Sequence, residues 1–170
     1  MIEATIGLGA NLGRPEAALR RGLWHLELPV LAVSSLYESL PVETSIAQPN
    51  YLNAVAILLV PEAMPPRALL DRLLETEAAL GRVRAPGKPP RTLDLDLLLF
   101  GDREMDDPAL TLPHPGLLRR RFVLEPLLEV RPAQRLPDGR PLAPLLGATL
   151  AQDVRRLRGR CWWWRIADAF

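Results

Sequence analysis

One cysteine, Cys161, and one lysine, Lys88, are all that 170 residues contain of those two types. A lone thiol excludes an internal disulfide and fits a reducing, cytoplasmic compartment. No uninterrupted apolar run approaches the roughly 20 residues of a membrane span, and Met1-Ile2-Glu3-Ala4 carries no basic leader, so neither export nor a membrane is expected. The formal charge is only +1, which argues against nucleic-acid binding as the main task. Asparagine and glutamine occur three times each, while 18 prolines fall largely between periodic segments, a composition suited to heat resistance. Repeats, low-complexity tracts and linkers are missing as well. Residues 1–170 therefore read as a single domain, expected to be a monomer, long enough to bury a substantial core.

Every basic residue other than Lys88 is arginine. A GC-rich coding bias gives the same excess, but the planar guanidinium also suits phosphate, binding two oxygens at once.

The most informative stretch is Arg91-Thr92-Leu93-Asp94-Leu95-Asp96-Leu97-Leu98-Leu99-Phe100. On a strand, Asp94 and Asp96 point one way while Leu93, Leu95 and Leu97 line the other side. Two carboxylates on one face of a leucine-rich strand repel each other and resist burial. A hard divalent cation removes both penalties, Mg2+ above all, because no cysteine or histidine adjoins the pair. Alone, such a pair is equally an ordinary solvated strand end. The loop before it decides otherwise, since Arg82, Arg84, Lys88 and Arg91 bring phosphate-binding cations to the same strand end.

Alternation from Ile2 to Leu8 predicts a strand that ends at Gly9-Ala10-Asn11-Leu12-Gly13. Pro15 then opens a helix with Ala18, Leu19, Gly22, Leu23 and Leu26 inward. Val30 to Tyr37 reads as a second strand, Ser39 to Asn50 as a long loop, and Tyr51 to Val60 as a central third strand, apolar on both faces. Pro65-Pro66 starts a second helix, with Leu69, Leu70, Leu73, Leu74 and Leu80 inward, Glu77 at the stripe's edge and Gly81 at its end. After the Asp-bearing strand come a turn at Gly101-Asp102, a return segment, a short helix from His114-Pro115 and a helical run from Leu124 to Val130. Trp162, Trp163 and Trp164 read as core or edge cover. The order strand, helix, strand, strand, helix, strand predicts an α+β fold with a ferredoxin-like βαββαβ core, an antiparallel sheet with helices packed on it.

The return segment brings His114 and Arg119-Arg120-Arg121 back towards the Asp strand. Tyr51 and Asn53 share a strand face, where a ring beside an amide suits a flat heterocycle.

The segment Gly81-Arg82-Val83-Arg84 with Pro90-Arg91-Thr92-Leu93-Asp94-Leu95-Asp96 resembles the signature of the 6-hydroxymethyl-7,8-dihydropterin pyrophosphokinase family. The resemblance extends through Gly9 to Gly13, Ser34 to Glu38, Gln48 to Ala54, Leu112 to Pro115 and Arg120 to Leu127, and fades over the last forty or so residues.

It implies transfer of pyrophosphate from ATP to 6-hydroxymethyl-7,8-dihydropterin, giving the pterin diphosphate and AMP for folate biosynthesis. Asp94 and Asp96 would then hold two Mg2+ ions. Arg82, Arg84, Arg91, His114 and Arg120 would grip the triphosphate, with Glu77 on the nucleotide side and Leu97 and Thr111 near the adenine. Asn53 would hydrogen-bond the pterin, Tyr51 and Phe122 would sandwich it, and the backbone around Ser39 and Val42 would complete its pocket, with Asp94 at the reacting end.

The chain departs from the family pattern at Ala85 and Lys88-Pro89 in the loop above the pair, at Leu40 and Glu43 in the pterin loop, and at Leu74 beside the nucleotide. Two other readings share the fold. Another two-metal phosphoryl or nucleotidyl transferase would keep the Asp pair without the Tyr51, Asn53 and Phe122 pocket. An RNA-binding module would expose aromatics on central strands, where this chain carries carboxylates.

Overall fold

The computed structural model describes residues 1–42, 47–83 and 89–164. Its first strand, β1 (Ile2–Ala10), runs into α1 (Pro15–His25), and then β2 (Val30–Val33), β3 (Leu36–Ser39) and β4 (Tyr51–Val60) follow. The second half contributes α2 (Pro66–Ala79), β5 (Asp94–Phe100), a hairpin of β6 (Met105–Asp107) and β7 (Leu110–Leu112), α3 (Arg121–Val130), α4 (Ala143–Gly147) and β8 (Val154–Arg158). The main sheet is antiparallel with order β5-β1-β4-β3-β8, and β2 also pairs with β4. Within it, β5, β1, β4 and the β2–β3 pair reproduce the expected βαββαβ core.

Alternation sends each strand's side chains to two separate layers. Ala4, Ile6 and Leu8 of β1, Ala54, Ala56 and Leu58 of β4, and Leu95 and Leu97 of β5 pack with Leu19 and Leu23 of α1 and Leu69 and Leu73 of α2. On the opposite face Val55, Ile57, Leu98 and Leu99 pack with Val123, Leu124 and Leu127 of α3. Helices on both faces explain why β4 is apolar on both sides.

Leu93, wholly buried, fastens the start of the Asp strand to α1. A Cβ added at Gly22 would lie 2.9 Å from its Cδ2, so the helix glycine makes room for this leucine. Leu93→Ala is expected to cost ~2–5 kcal/mol in a urea unfolding curve, the transfer loss plus an unfilled cavity.

The predicted strand Val30 to Tyr37 is two strands. At the break the Ser34 N–H still donates to the Val55 carbonyl at 2.9 Å. The Val55 N–H, however, goes to the Ser34 hydroxyl at 3.0 Å, and the Ser35 N–H leaves the ladder for Glu129 at 2.8 Å. Glu129 also accepts from the Ser35 and Tyr37 hydroxyls at 2.7 and 3.1 Å. A carboxylate on α3 thus bends the strand, which hydropathy does not register.

The stripe of α2 is narrower than periodicity implies. Leu69, Leu73, Thr76 and Glu77 are buried, whereas Leu70, Leu74 and Leu80 are half-buried. Gly81, at φ 83°, adopts the left-handed conformation that ends the helix and turns the chain towards Arg82. The C-terminal region also does more than close the core, because β8 adds a strand beside β3. Trp162 is buried and its indole N–H donates to the Ser34 carbonyl at 2.9 Å, while Trp164 is exposed.

Strand β5 contains a β-bulge against β1, where the register steps from Ile6↔Leu97 to Thr5↔Leu99. The displaced Leu98 carbonyl accepts the His114 N–H at 2.9 Å. Gly101, at the far end of β5, donates to the Glu3 carbonyl at 2.8 Å. Both ends of the excursion carrying the β6–β7 hairpin are therefore tied to the main sheet.

Candidate active site

Along the α3 face, Val55 and Ile57 are covered but the neighbouring ends of three strands are not. There the register sets Gly9 beside Asn53 of β4 and Asp94 of β5, with Gly7 beside Asp96. Without side chains, Gly7 and Gly9 leave a hollow, and their virtual Cβ positions are 3.8 and 3.7 Å from the Cβ atoms of Asp96 and Asp94. This hollow is a cavity of about 100 Å3 walled by Ser39, Leu40, Val42, Gln48, Tyr51, Asn53 and Phe122. Buried Asn53 donates from Nδ2 to the Ser39 hydroxyl at 3.0 Å. Burial raises the pKa of the Tyr51 phenol, which stays neutral, and its hydroxyl donates to Gln48 Oε1 at 3.2 Å. One aromatic wall, a buried amide and a hydroxyl make a slot for a flat polar ring.

A second, wider cavity of about 440 Å3 lies across the Asp pair. Glu77, Arg82 and His114 line its charged part, while Leu70, Leu74, Leu97, Thr111 and the hairpin turn Pro108-Ala109 line its apolar part. The two cavities share Arg91, Asp94, Asp96 and Arg120. A small slot walled by Tyr51 and Phe122 and a larger one carrying Arg82 and His114 therefore meet at the carboxylates.

Charge at the junction is arranged in a chain. Buried Glu77 accepts the Leu95 N–H at 2.7 Å and pairs with Arg82, which also pairs with Asp94. Arg91 holds the other oxygen of Asp94 at 2.5 Å. Burial opposes the charge on Arg91, but Asp94, Tyr51 and Asp96 together outweigh it and raise its pKa. Asp96 differs. No hydrogen bond or ion pair reaches it directly among the described residues, and burial first, Asp94 second, push its pKa up against the pull of His114, Arg120 and Arg82. A carboxylate strained in this way, next to a second one, suits a hard divalent cation. No third histidine, cysteine, aspartate or glutamate joins them among the described residues, so the remaining ligands would come from phosphate oxygens and water.

Helix α3 begins at Arg121, and the residue before it, Arg120, reaches both cavities; its guanidinium carbon lies 5.9 Å from the Phe122 ring centroid. His114 caps the following 3-10 turn, its Nδ1 accepting the Gly116 N–H at 3.0 Å. The plain cap reading of this histidine and its place in the cationic cavity thus hold together.

Every residue expected at the site falls on one of these two cavities except Arg84, which with Lys88 and Glu43 lies outside the described residues. Sequence reasoning missed the floor, Gly7 and Gly9, and the hairpin turn Pro108-Ala109. A signal for the floor existed: glycines at alternate positions of a strand mark a backbone left bare on one side. Nothing local marked the hairpin turn, whose place depends on the Leu98 bulge.

Residues 5–132 match the profile of the family described as 7,8-dihydro-6-hydroxymethylpterin-pyrophosphokinase. The chain is 43% identical to the 2-amino-4-hydroxy-6-hydroxymethyldihydropteridine pyrophosphokinase of Pseudomonas aeruginosa over 158 residues, covering 91% of this chain and 96% of that one. To the Haemophilus influenzae protein of the same name it is 37% identical over 150 residues, covering 86% and 92%. The fold is similar to a crystal structure of an HPPK-DHPS in complex with substrates, with TM-score 0.67 and 12% identity over 86% of this chain. A Plasmodium falciparum HPPK-DHPS gives TM-score 0.64 and 14% identity over 87% of the chain. The present chain spans 43% of the length of either of those chains.

Proposed function

Since the chain belongs to the 7,8-dihydro-6-hydroxymethylpterin-pyrophosphokinase family and transfers pyrophosphate from ATP to 6-hydroxymethyl-7,8-dihydropterin, we propose that its two cavities hold these substrates on either side of Asp94 and Asp96. The observation that carries this reading is the sharing of Arg91, Asp94, Asp96 and Arg120 by a slot with aromatic walls and a larger cleft lined by Arg82 and His114.

In the slot, Asn53 hydrogen-bonds the pterin edge, Tyr51 and Phe122 face its ring, and the backbone near Ser39 and Val42 closes it. In the cleft, Arg82, Arg91, His114 and Arg120 bind the triphosphate, Glu77 holds Arg82 in place, and Leu97 and Thr111 contact the base; Arg84 is proposed as a further phosphate ligand. The pterin hydroxymethyl oxygen forms a bond to the β-phosphorus, and the bond from that phosphorus to the α,β-bridging oxygen breaks. AMP leaves with that oxygen, and the hydroxyl proton passes to solvent. Holding nucleophile and phosphorus in line can supply ~7–11 kcal/mol of the barrier, and arginines aimed at the phosphate oxygens stabilise charge as it moves to the leaving group. Asp94 and Asp96 are the residues that would hold Mg2+, two ions in this proposal, which would polarise the phosphates and offset their repulsion of the nucleophile.

The carboxylates on β5 put negative charge on the open sheet face, the reverse of what an RNA-binding face needs. Incubation with ATP, Mg2+ and the pterin alcohol should release AMP in step with the pterin diphosphate. ADP, or AMP formed equally well without the pterin alcohol, would overturn the assignment. Asn53→Ala should raise the pterin KM by roughly 1–3 kcal/mol of lost hydrogen bonding and leave the ATP KM unchanged in steady-state kinetics.

A further inference from the structure

Asn11 follows β1 on the turn between strand and helix, where an exposed polar residue would be ordinary. It is instead buried, only 4% exposed, and all of its polar side-chain atoms are used. Its Oδ1 accepts the Arg91 N–H at 2.8 Å, and its Nδ2 donates to Gln48 Oε1 at 2.8 Å and to the Pro49 carbonyl at 3.0 Å. The backbone joins in, because the Asn11 and Leu12 N–H groups both donate to the Arg91 carbonyl at 3.0 and 3.1 Å. A backbone donor on one side and a backbone acceptor on the other fix which way the amide faces. Gln48 must then present its oxygen to Asn11, and that same oxygen takes the Tyr51 hydroxyl.

One buried amide therefore connects the residue whose guanidinium grips Asp94 with the aromatic wall of the slot. Resting on the substrate placement above, we propose that Asn11 is a positioning residue that couples the two substrate cavities, so that setting Arg91 for the nucleotide also sets Gln48 and Tyr51 for the pterin. Asn11 touches neither cavity itself. Its effect passes through the two hydrogen-bonded segments that share it, a contiguous network of the kind along which coupling between sites is carried.

The test is the dissociation constant of the pterin alcohol with and without Mg2+ and the unreactive analogue α,β-methylene-ATP, in the wild type, Asn11→Ala, Gln48→Ala and the double variant. Turnover and melting midpoints are measured beside it. Nucleotide should tighten pterin binding in the wild type, and Asn11→Ala should lose about tenfold or more of that gain, with kcat/KM falling by about 10- to 100-fold. Gln48→Ala should lose the same gain, and the double variant should be no worse than the poorer single, since members of one unit are not additive. Asn11→Ala that melts lower yet keeps the full gain, independent losses that add in the double variant, or a wild type without any gain would each overturn the coupling. A wild type that makes no AMP would instead overturn the substrate assignment, a separate result from the same preparation.

Discussion

Asp96→Asn is expected to lower kcat/KM by about a thousandfold or more while leaving the metal-free protein at least as stable as the wild type. Substitution of a single group that stabilises transition-state charge costs ~10²–10³-fold, and Asp96 would act through the cation that carries much of that stabilisation. Stability moves the other way because of the sign of its pKa shift. A raised carboxyl pKa means that the folded state holds the proton more tightly than the unfolded chain does, so stability is lost as pH rises from the unfolded pKa through the folded one. The penalty grows as Asp96 ionises, and asparagine removes it. Steady-state assays at saturating Mg2+ and a thermal melt without metal check the two halves. Near-normal turnover would remove Asp96 from the metal site, and a lower melting midpoint would show that its charge is satisfied in a way the geometry lacks.

Arg120→Ala is expected to lower kcat by ~10²–10³-fold with a much smaller change in ATP affinity. Arg120 stands at the junction of both cavities with its guanidinium beside Phe122. On the proposed substrate placement, charge developing between the substrates is what it would meet. Arg120→Lys should recover little, since an ammonium cannot span two oxygens or lie flat beside Phe122. Pre-steady-state turnover combined with direct ATP titration separates the two effects. A rise in the ATP KM with kcat unchanged would assign Arg120 to uniform ground-state binding.

The sequence announces the Asp strand because two like charges two residues apart in a leucine run conflict with local rules, and such conflicts tend to be functional. Tyr51, Asn53, Arg91 and Arg120 follow from strand alternation and from cations close to that strand. What it does not announce depends on contacts across long stretches of chain. Glu129 breaks the predicted strand at Ser34-Ser35 from 94 residues away. Strand β8 carries no alternation, with Val154 alone buried among five residues, so its pairing with β3 leaves no hydropathy signature. Asn11 looks like one more turn residue until Arg91, 80 positions later, is seen to donate to it.

The two ties that bracket the β6–β7 hairpin, Gly101 to Glu3 and His114 to Leu98, bear on how this protein can change over generations. Between those anchors, insertions and deletions would alter the Pro108-Ala109 wall of the larger cavity without displacing His114. Length variation there would fall on the part of the cleft proposed to contact the base. His114, proposed to face the phosphates, stays tied to β5, so on that placement change in the hairpin would bear on nucleotide preference before it touched the transfer chemistry.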